Sequence, residues 1–580
     1  MINKPGDAFF VTTILSFDKY CDNCQTNMLN TLHTFLQIHP KDNVLVALQN
    51  LTKGTSVTHN GQAIVLATDV AAKHKFTISN LQPGDPVYMY GVLVGKAVEP
   101  IAQGAAITIN NVHHAAENFE LGHRKTDWHR PQTDKWVSKT FMGYHRSDGS
   151  VGTANYWLVI PLVFCENRNV EVLKDALVNK LGYKKPQAFE HDVDNLINLY
   201  QTGRSIEEIL SADINGTPHL NGHNKVFKNI DGIKFLTHDM GCGGTRMDSD
   251  SLCGLLAGYI THPNVAGATV LSLGCQHSQA SILKQEIVKR SPGFDKPLLI
   301  LEQQKEGTES NLLQKAIKHT FAALVGANKT ERRPAPVNKL CIGLECGGSD
   351  GFSGISANPA LGYVSDILVA LGGTVILAEF PELCGVEQEL SDRCVDEGTA
   401  QKFINLMRVY NRRAEESGSG FYANPSPGNI RDGLITDAIK SAGAAKKGGT
   451  SPVTDVLDYP EKVTKPGLNL LCTPGNDVES TTAEVAAGAN IVLFTTGLGT
   501  PTGNPIAPVV KISTNSTIYN RMHDIIDLDC GTVIDGSETI EQAAERILDH
   551  VIEVASGNII VKSQQLGQDD FIPWKRGVSL

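Results

Sequence analysis

The sequence predicts an α/β protein in which a small β-rich N-terminal domain precedes two α/β domains with mainly parallel sheets. Three observations carry that expectation. At 580 residues the chain is too long for a single hydrophobic core. From Gly143 onward short apolar runs alternate with helical patterns, as βαβ units require. Those runs end in turns rich in glycine, cysteine and hydroxyls, and in open α/β sheets ligands sit outside the carboxyl ends of strands.

Residues 1–35 read as an N-terminal extension. They hold Cys21-Asp-Asn-Cys24, half of a redox or metal pattern with no second pair nearby. Residues 36–115 form the β-rich unit, with strands expected at Asn43–Leu48, Gly61–Leu66, Val87–Tyr90 and Ala106–Ile109 between Lys-Gly, Pro-Gly and Gln-Gly turns. Residues 116–140 are polar, contain Pro131 and read as a linker. The first α/β domain spans 141–327, with helix pieces at Leu173–Leu181 and Ile206–Leu210. A second linker, 328–338, carries Arg332-Arg-Pro-Ala-Pro336. The second α/β domain spans 339–580. One of its helices starts near Asn358-Pro359, where proline suits a first turn, and covers Leu361–Leu371. The last twenty residues are expected to pack back on the body.

Composition narrows the function. The hydrophobic fraction is 41%, the charged fraction 19% and the formal charge −11, which argues against non-specific nucleic-acid binding. No apolar stretch is long enough to span a bilayer, and the N-terminus has no secretory pattern. Twelve scattered cysteines fit a reducing compartment, so a cytoplasmic location is expected.

Chemistry concentrates at strand ends. Leu340–Leu344 runs into Cys346-Gly-Gly-Ser-Asp350, where glycine pairs and hydroxyls let backbone N–H groups approach an anion. Leu158–Val163 runs into Cys165, Val270–Leu273 into Gly274-Cys275, and Ile233–Leu236 into Thr237-His238-Asp-Met-Gly-Cys242. Leu468–Leu471 ends at Cys472-Thr-Pro-Gly-Asn-Asp477, and Ile491–Phe494 at a Gly-rich loop reaching Gly503. Cysteine as a small core residue accounts for Cys253, Cys341 and Cys530, but poorly for the Cys-Gly turns. A nicotinamide dehydrogenase would need a clean G-x-G-x-x-G opening a helix, and Thr496-Gly-Leu-Gly499 is only a fragment of one.

With these turns in view, the chain resembles the altronate/galactarate dehydratase family of sugar-acid hydro-lyases, nearest its altronate branch. The small domain resembles a SAF domain through His39-Pro-Lys-Asp-Asn43, His74-Lys75 and Tyr90-Gly91 with Gly95. The central part matches at Arg146-Ser-Asp-Gly-Ser-Val-Gly-Thr-Ala-Asn155, Cys165, His238 with Gly241-Cys242, and Gly274-Cys275. The final part matches at Cys346 to Asp350, Ser353-Gly354, Ala357-Asn-Pro359, Glu379 with Glu382, Asn424 to Asn429, Thr495-Thr-Gly and Pro508 to Lys511. Two departures stand out. Thr108 and Asn110 replace a His-x-His, and the nearby His113-His114 is out of register. Leu498 and Thr502 replace an arginine and a tyrosine in the Gly-rich loop. Arginine grips a carboxylate bidentately and leucine cannot, so the substrate's far end, length or stereochemistry is expected to differ.

The resemblance implies loss of water from an aldonate or similar 2,3-dihydroxy acid, giving a 2-keto-3-deoxy acid. Dehydration of another aldonate, aldarate or hydroxy acid is the alternative, and a non-catalytic sugar-acid binding protein is the rival of another class. The chemistry needs a base for the C2 proton, a group to neutralise the enediolate, and an acid for the departing C3 hydroxyl. The resemblance implies Fe(2+) or Mn(2+), with an iron–sulfur cluster as the other form. One ligand set is Cys165, His238, Cys242 and Cys275, and the other uses His39 and His74. His74 or Lys75 is the expected base. Asp350, Glu379 and Glu382 are the candidate acids or metal-binding carboxylates. Asn155, Ser349, Ser353, Asn358, Thr496, Thr500 and Lys511 are expected to hold substrate, whereas Arg146 is divided between substrate and a structural ion pair. A homo-oligomer, most simply a dimer, is also implied.

Overall fold

The computed structural model describes residues 34–184, 191–215 and 225–579, so the Cys21–Cys24 pair lies outside the described residues. The β-rich domain is built from short antiparallel ladders. Phe35–Leu36, Val44–Ala47 and Lys75–Thr77 form one, Ser56–His59 pairs with Gln62–Val65, and Pro86–Met89, Val92–Ala97 and Val112–His114 form another. Ala106–Ile109 is not a strand, and Ala106 makes only a single bridge to Phe76. The Asn111 side chain takes the Ala106 carbonyl at 3.0 Å, which competes with a continued ladder.

The linker 328–338 is also more ordered than its composition suggests. Arg333–Pro336 is a strand, antiparallel to Thr140–His145, which pairs in turn with Val151–Gly152. The two prolines are tolerated because this strand lies at the sheet edge.

Both α/β domains carry parallel sheets. The first has the order Gly232–Phe235, Tyr156–Pro161, Val265–Ser272, Leu298–Glu302. The second runs Val453–Leu457, Gly467–Leu471, Thr374–Leu377, Cys341–Cys346, Ile491–Thr496, Val509–Ser513, Leu528–Asp529. These central strands are buried on both faces, which explains their continuous apolar runs. The helices Asn167–Leu177, Ile206–Ser211 and Ala357–Ala370 correspond to predicted segments, the first starting earlier than expected. Helix Arg246–Thr261 packs on helix Asp477–Ala487, and one apolar core joins residues of both sheets.

In each sheet the onward connections of two neighbouring strands lead away in opposite directions. In the larger sheet these are Cys341–Cys346 and Ile491–Thr496; in the smaller, Tyr156–Pro161 and Val265–Ser272. A crevice opens at the carboxyl ends of strands at such switch points. The C-terminal segment closes over the body, with Trp574 stacked on Tyr410 at 5.7 Å and the Arg576 N–H bonded to Asp248 Oδ1 at 2.9 Å.

Candidate active site

At the larger switch point the turns after the two strands are stitched together. Gly347 N–H donates to the Thr495 carbonyl at 3.1 Å, and Leu498 N–H to the Gly348 carbonyl at 2.9 Å. Below them is a buried charged cluster. The Cys346 thiol points at Glu382 Oε2 (3.0 Å) and Glu379 Oε2 (3.5 Å). Lys447 Nζ donates to Cys346 Sγ at 2.8 Å and to Glu379 Oε2 at 3.0 Å, while Lys440 Nζ meets Glu382 Oε1 at 2.6 Å. Lys447 and Glu379 side chains are each 1% exposed.

Electrostatics fix the protonation states. Burial and the charges of Glu379 and Glu382 push the Cys346 thiol far above its ordinary value, so it stays protonated. Burial alone would discharge Lys447, but the carboxylates of Glu379 and Glu382 outweigh it and hold the ammonium charged. Glu379 is raised by burial and by Glu382. Burial also acts on Glu382, yet Lys440 and Lys447 win and keep it ionised. Glu379 has φ +63°, a left-handed conformation that costs a non-glycine residue about 1–3 kcal/mol and concentrates at functional sites. Its N–H is held by Thr473 Oγ1 at 2.8 Å, and its Oε1 has no hydrogen-bond partner among the described residues.

Asp477 stands at the rim of this cluster, in the first turn of its helix. A Cβ on Gly347 would come 2.0 Å from Asp477 Oδ2, so only glycine leaves room for the carboxyl group. Burial, Glu379 and Glu382 together raise Asp477 to about 7.

The small domain docks nearby through Lys73-His74-Lys75. Lys73 Nζ lies 3.0 Å from both Asp350 Oδ2 and Asp432 Oδ1, Lys75 Nζ donates to the Gly433 carbonyl at 2.6 Å, and His74 Nε2 meets the Arg431 carbonyl at 3.0 Å. Burial lowers Lys75 to about 7. Asp350 departs from its expected role as an acid. Its Oδ1 accepts from Phe352 N, Ser353 Oγ and Thr514 Oγ1, and its Oδ2 from Asn515 Nδ2 and Lys73, so it anchors the two domains.

The expected substrate contacts divide. Thr496 Oγ1 and Thr500 Oγ1 converge on the Gly348 turn, 3.4 and 3.2 Å from where a Cβ there would stand, and the Ser349 carbonyl is fixed by Asn429. Ser353 is spent on Asp350. Asn358 is saturated by the Gly443 carbonyl (3.0 Å) and Thr495 Oγ1 (2.7 Å). Lys511, lowered to about 8 by burial, donates to Gln568 Oε1 at 2.7 Å. Asn155 is a correction. It lies just before Tyr156–Pro161, at the amino end of that strand, and bonds the Asn229 carbonyl and Arg146. Arg146 is structural for the same reason.

The metal-ligand expectations also change. Among the described residues, Cys346, Glu379 and Glu382 alone form a group of three or more His, Cys, Asp or Glu whose ligand atoms all lie within 4.8 Å of one another. Lys447 Nζ contacts two of them where a divalent cation would have to sit, so this set does not fit a mononuclear ion. Cys165, Cys242 and Cys275 are exposed at the ends of three adjacent strands. Their turns are tied by Phe164 N to the Met240 carbonyl (3.0 Å) and Ser278 N to the Gly241 carbonyl (3.1 Å). Their sulfurs do not all lie within 4.8 Å of one another, so the three thiols at this rim suit an iron–sulfur cluster, which spreads its ligands more widely, rather than a single iron ion. His238 does not join them, because Nε2 bonds the Pro161 carbonyl at 2.8 Å and Nδ1 accepts from Met240 N at 3.2 Å. His39 and His74 have separate neighbours. His39 accepts from Lys41 N at 3.1 Å and lines a cavity with Tyr90, Lys446 and Thr450, away from the Arg431 carbonyl that holds His74.

Comparison with known proteins now bears on this geometry. Three family models match in order: "Altronate/galactarate dehydratase SAF domain" at 33–115, "D-galactarate dehydratase/Altronate hydrolase, second domain" at 143–328, and "D-galactarate/Altronate dehydratase, C-terminal" at 337–579. Altronate dehydratase of Escherichia coli (strain K12) is 34% identical over 529 residues, covering 90% of this chain and 95% of that protein. The chain belongs to the altronate/galactarate dehydratase family. Altronate dehydratase of Bacillus subtilis (strain 168) is 32% identical, covering 95% of this chain and all of the relative, and galactarate dehydratase (L-threo-forming) of E. coli is 28% identical over 92% of this chain and 95% of that protein. Membership in the dehydratase family makes the chain a hydro-lyase, and the nicotinamide and non-catalytic readings lose their support. No helix among the described residues is long and apolar enough to cross a membrane.

Lys73, Lys440 and Lys447 are not among the residues that the sequence singles out, and Asp477 enters there only as the end of a strand-end turn, with no role assigned. The signal for Lys447 was available: charged side chains within Ala442-Gly-Ala-Ala-Lys-Lys-Gly-Gly449, where small neighbours allow close packing.

Proposed function

We propose that this dehydratase removes water from a 2,3-dihydroxy sugar acid of the altronate type, giving a 2-keto-3-deoxy acid. One observation carries the reading: a water-excluded set of two ammoniums, a thiol and two carboxylates at the carboxyl end of the switch-point strand. The substrate carboxylate and hydroxyls lie against the Gly347–Ser349 backbone, Thr496 and Thr500. Glu379 Oε1, without a hydrogen-bond partner among the described residues, takes the C2 proton. Lys440 and Lys447 offset the negative charge that develops, and inside a dry site such preorganised charges are worth far more than in water. Lys75 is the second candidate base, because burial brings its amine near neutrality without a carboxylate in direct contact. Cys165, Cys242 and Cys275 would hold iron as an iron–sulfur cluster, which when bound supplies a Lewis acid for substrate oxygens.

Free thiols throughout the described residues agree with a cytoplasmic location, and a dimer is the assembly this reading adopts. The test is an anaerobic assay for 2-keto-3-deoxy acid with iron(II), across C5 and C6 aldonates and aldarates. Turnover of at least one is expected, and none across the panel would contradict the proposal.

A further inference from the structure

We propose that Asp477 is the acid that protonates the departing C3 hydroxyl, an assignment that rests on the dehydration reading above. The geometry favours it over Cys346, Lys440, Lys447 and Glu382 of the buried cluster. The Cys346 thiol is buried and committed to Glu382. Lys447 and Lys440 are locked as ammoniums in contacts of 2.6–3.0 Å, and Glu382 is ionised by them, leaving it no proton to give. Asp477 is partly exposed beside the Gly347 turn, and no side chain of the described residues bonds its carboxyl group. Gly347 leaves that carboxyl room beside the Cys346 turn. The thiol-bearing rim of the smaller sheet also approaches this helix, since the charge of Asp239 is felt at Glu479.

The step balances without a further reactant. As the base removes the C2 proton, the C3–O bond breaks with its electron pair on oxygen, and Asp477 gives that oxygen a proton to release water. The enol then ketonises, gaining hydrogen at C3, and solvent reprotonates Asp477. A carboxyl group facing Glu379 and Glu382, with Lys440 opposing them, is poised for this near neutrality.

The experiment measures kcat and KM against pH for a substrate found in the panel, in the wild-type protein, D477N and E382Q, with thermal unfolding as the check on folding. In the wild type, activity should fall on the alkaline side of about 7, where Asp477 has lost its proton. D477N should lower kcat at least ~100-fold with KM changed less than about threefold, and abolish that limb. E382Q removes a negative neighbour and should move the limb to lower pH. A folded D477N that keeps kcat within about threefold, or keeps the limb, overturns the assignment while leaving the reaction intact. A wild type with no turnover on the whole panel removes both.

Discussion

Lys447 Nζ stands 2.8 Å from Cys346 Sγ and 3.0 Å from Glu379 Oε2, inside a region that water does not reach. This ammonium is the counter-charge of the site. Taking one partner from a buried pair leaves the other uncompensated, which typically costs about 3–5 kcal/mol. K447M should therefore lose stability of that order at pH 7 in urea unfolding. The loss should shrink as pH falls, because Glu379, raised by burial and by Glu382, no longer needs a cation once protonated.

Lys73 couples the domains. Its ammonium joins Asp350 and Asp432, and the Asp350 side chain is wholly buried. K73A leaves Asp350 with its neutral donors but no cation, a loss of roughly 1–3 kcal/mol. Limited proteolysis should then cut first between the small domain and the body, at residues 116–130, faster than in the wild type.

Lys75 makes stability depend on pH in a definite direction. Its folded value of about 7 lies below the ordinary lysine value of 10.5, so between them the unfolded chain binds more protons. The contribution of Lys75 to stability therefore rises with pH across that window and is flat below it. Replacing it with the uncharged K75M should raise the unfolding temperature relative to wild type at pH 6–7, and the advantage should narrow toward pH 10.

The three exposed thiols give a metal prediction separable from the buried cluster. C165S, C242S and C275S should each reduce iron bound after anaerobic reconstitution, measured by elemental analysis and visible absorbance. Their unfolding temperatures without iron should match the wild type, because exposed thiols contribute little packing. Iron content equal to the wild type in all three variants would remove these residues as ligands.

Much of this site is legible in the sequence, and what is not has physical causes. Glu379 and Glu382 follow an apolar strand directly, so their shared loop could be read from spacing. The lysines that complete the cluster could not, because a charge on a helix reads as solvated unless its neighbours' size is weighed, as at Ala442–Gly449. Asn155 was placed with the substrate although it precedes its strand, where the carboxyl-end rule predicts no ligand. His238 lies in the expected turn, but nothing in sequence shows that Pro161 and Met240 already occupy both nitrogens. Arg333-Pro-Ala-Pro336 read as a linker because prolines exclude central strands, and it is an edge strand instead.

Glu379 is the centre of the site, strained at φ +63°, with one carboxylate oxygen unpaired among the described residues beside two ammoniums. Its most direct test is the turnover of E379Q with the sugar acid that the wild type dehydrates. The account predicts a fall in kcat of about 10²–10⁴-fold in a protein that unfolds at the wild-type temperature. A folded E379Q with kcat within about threefold of wild type would contradict it.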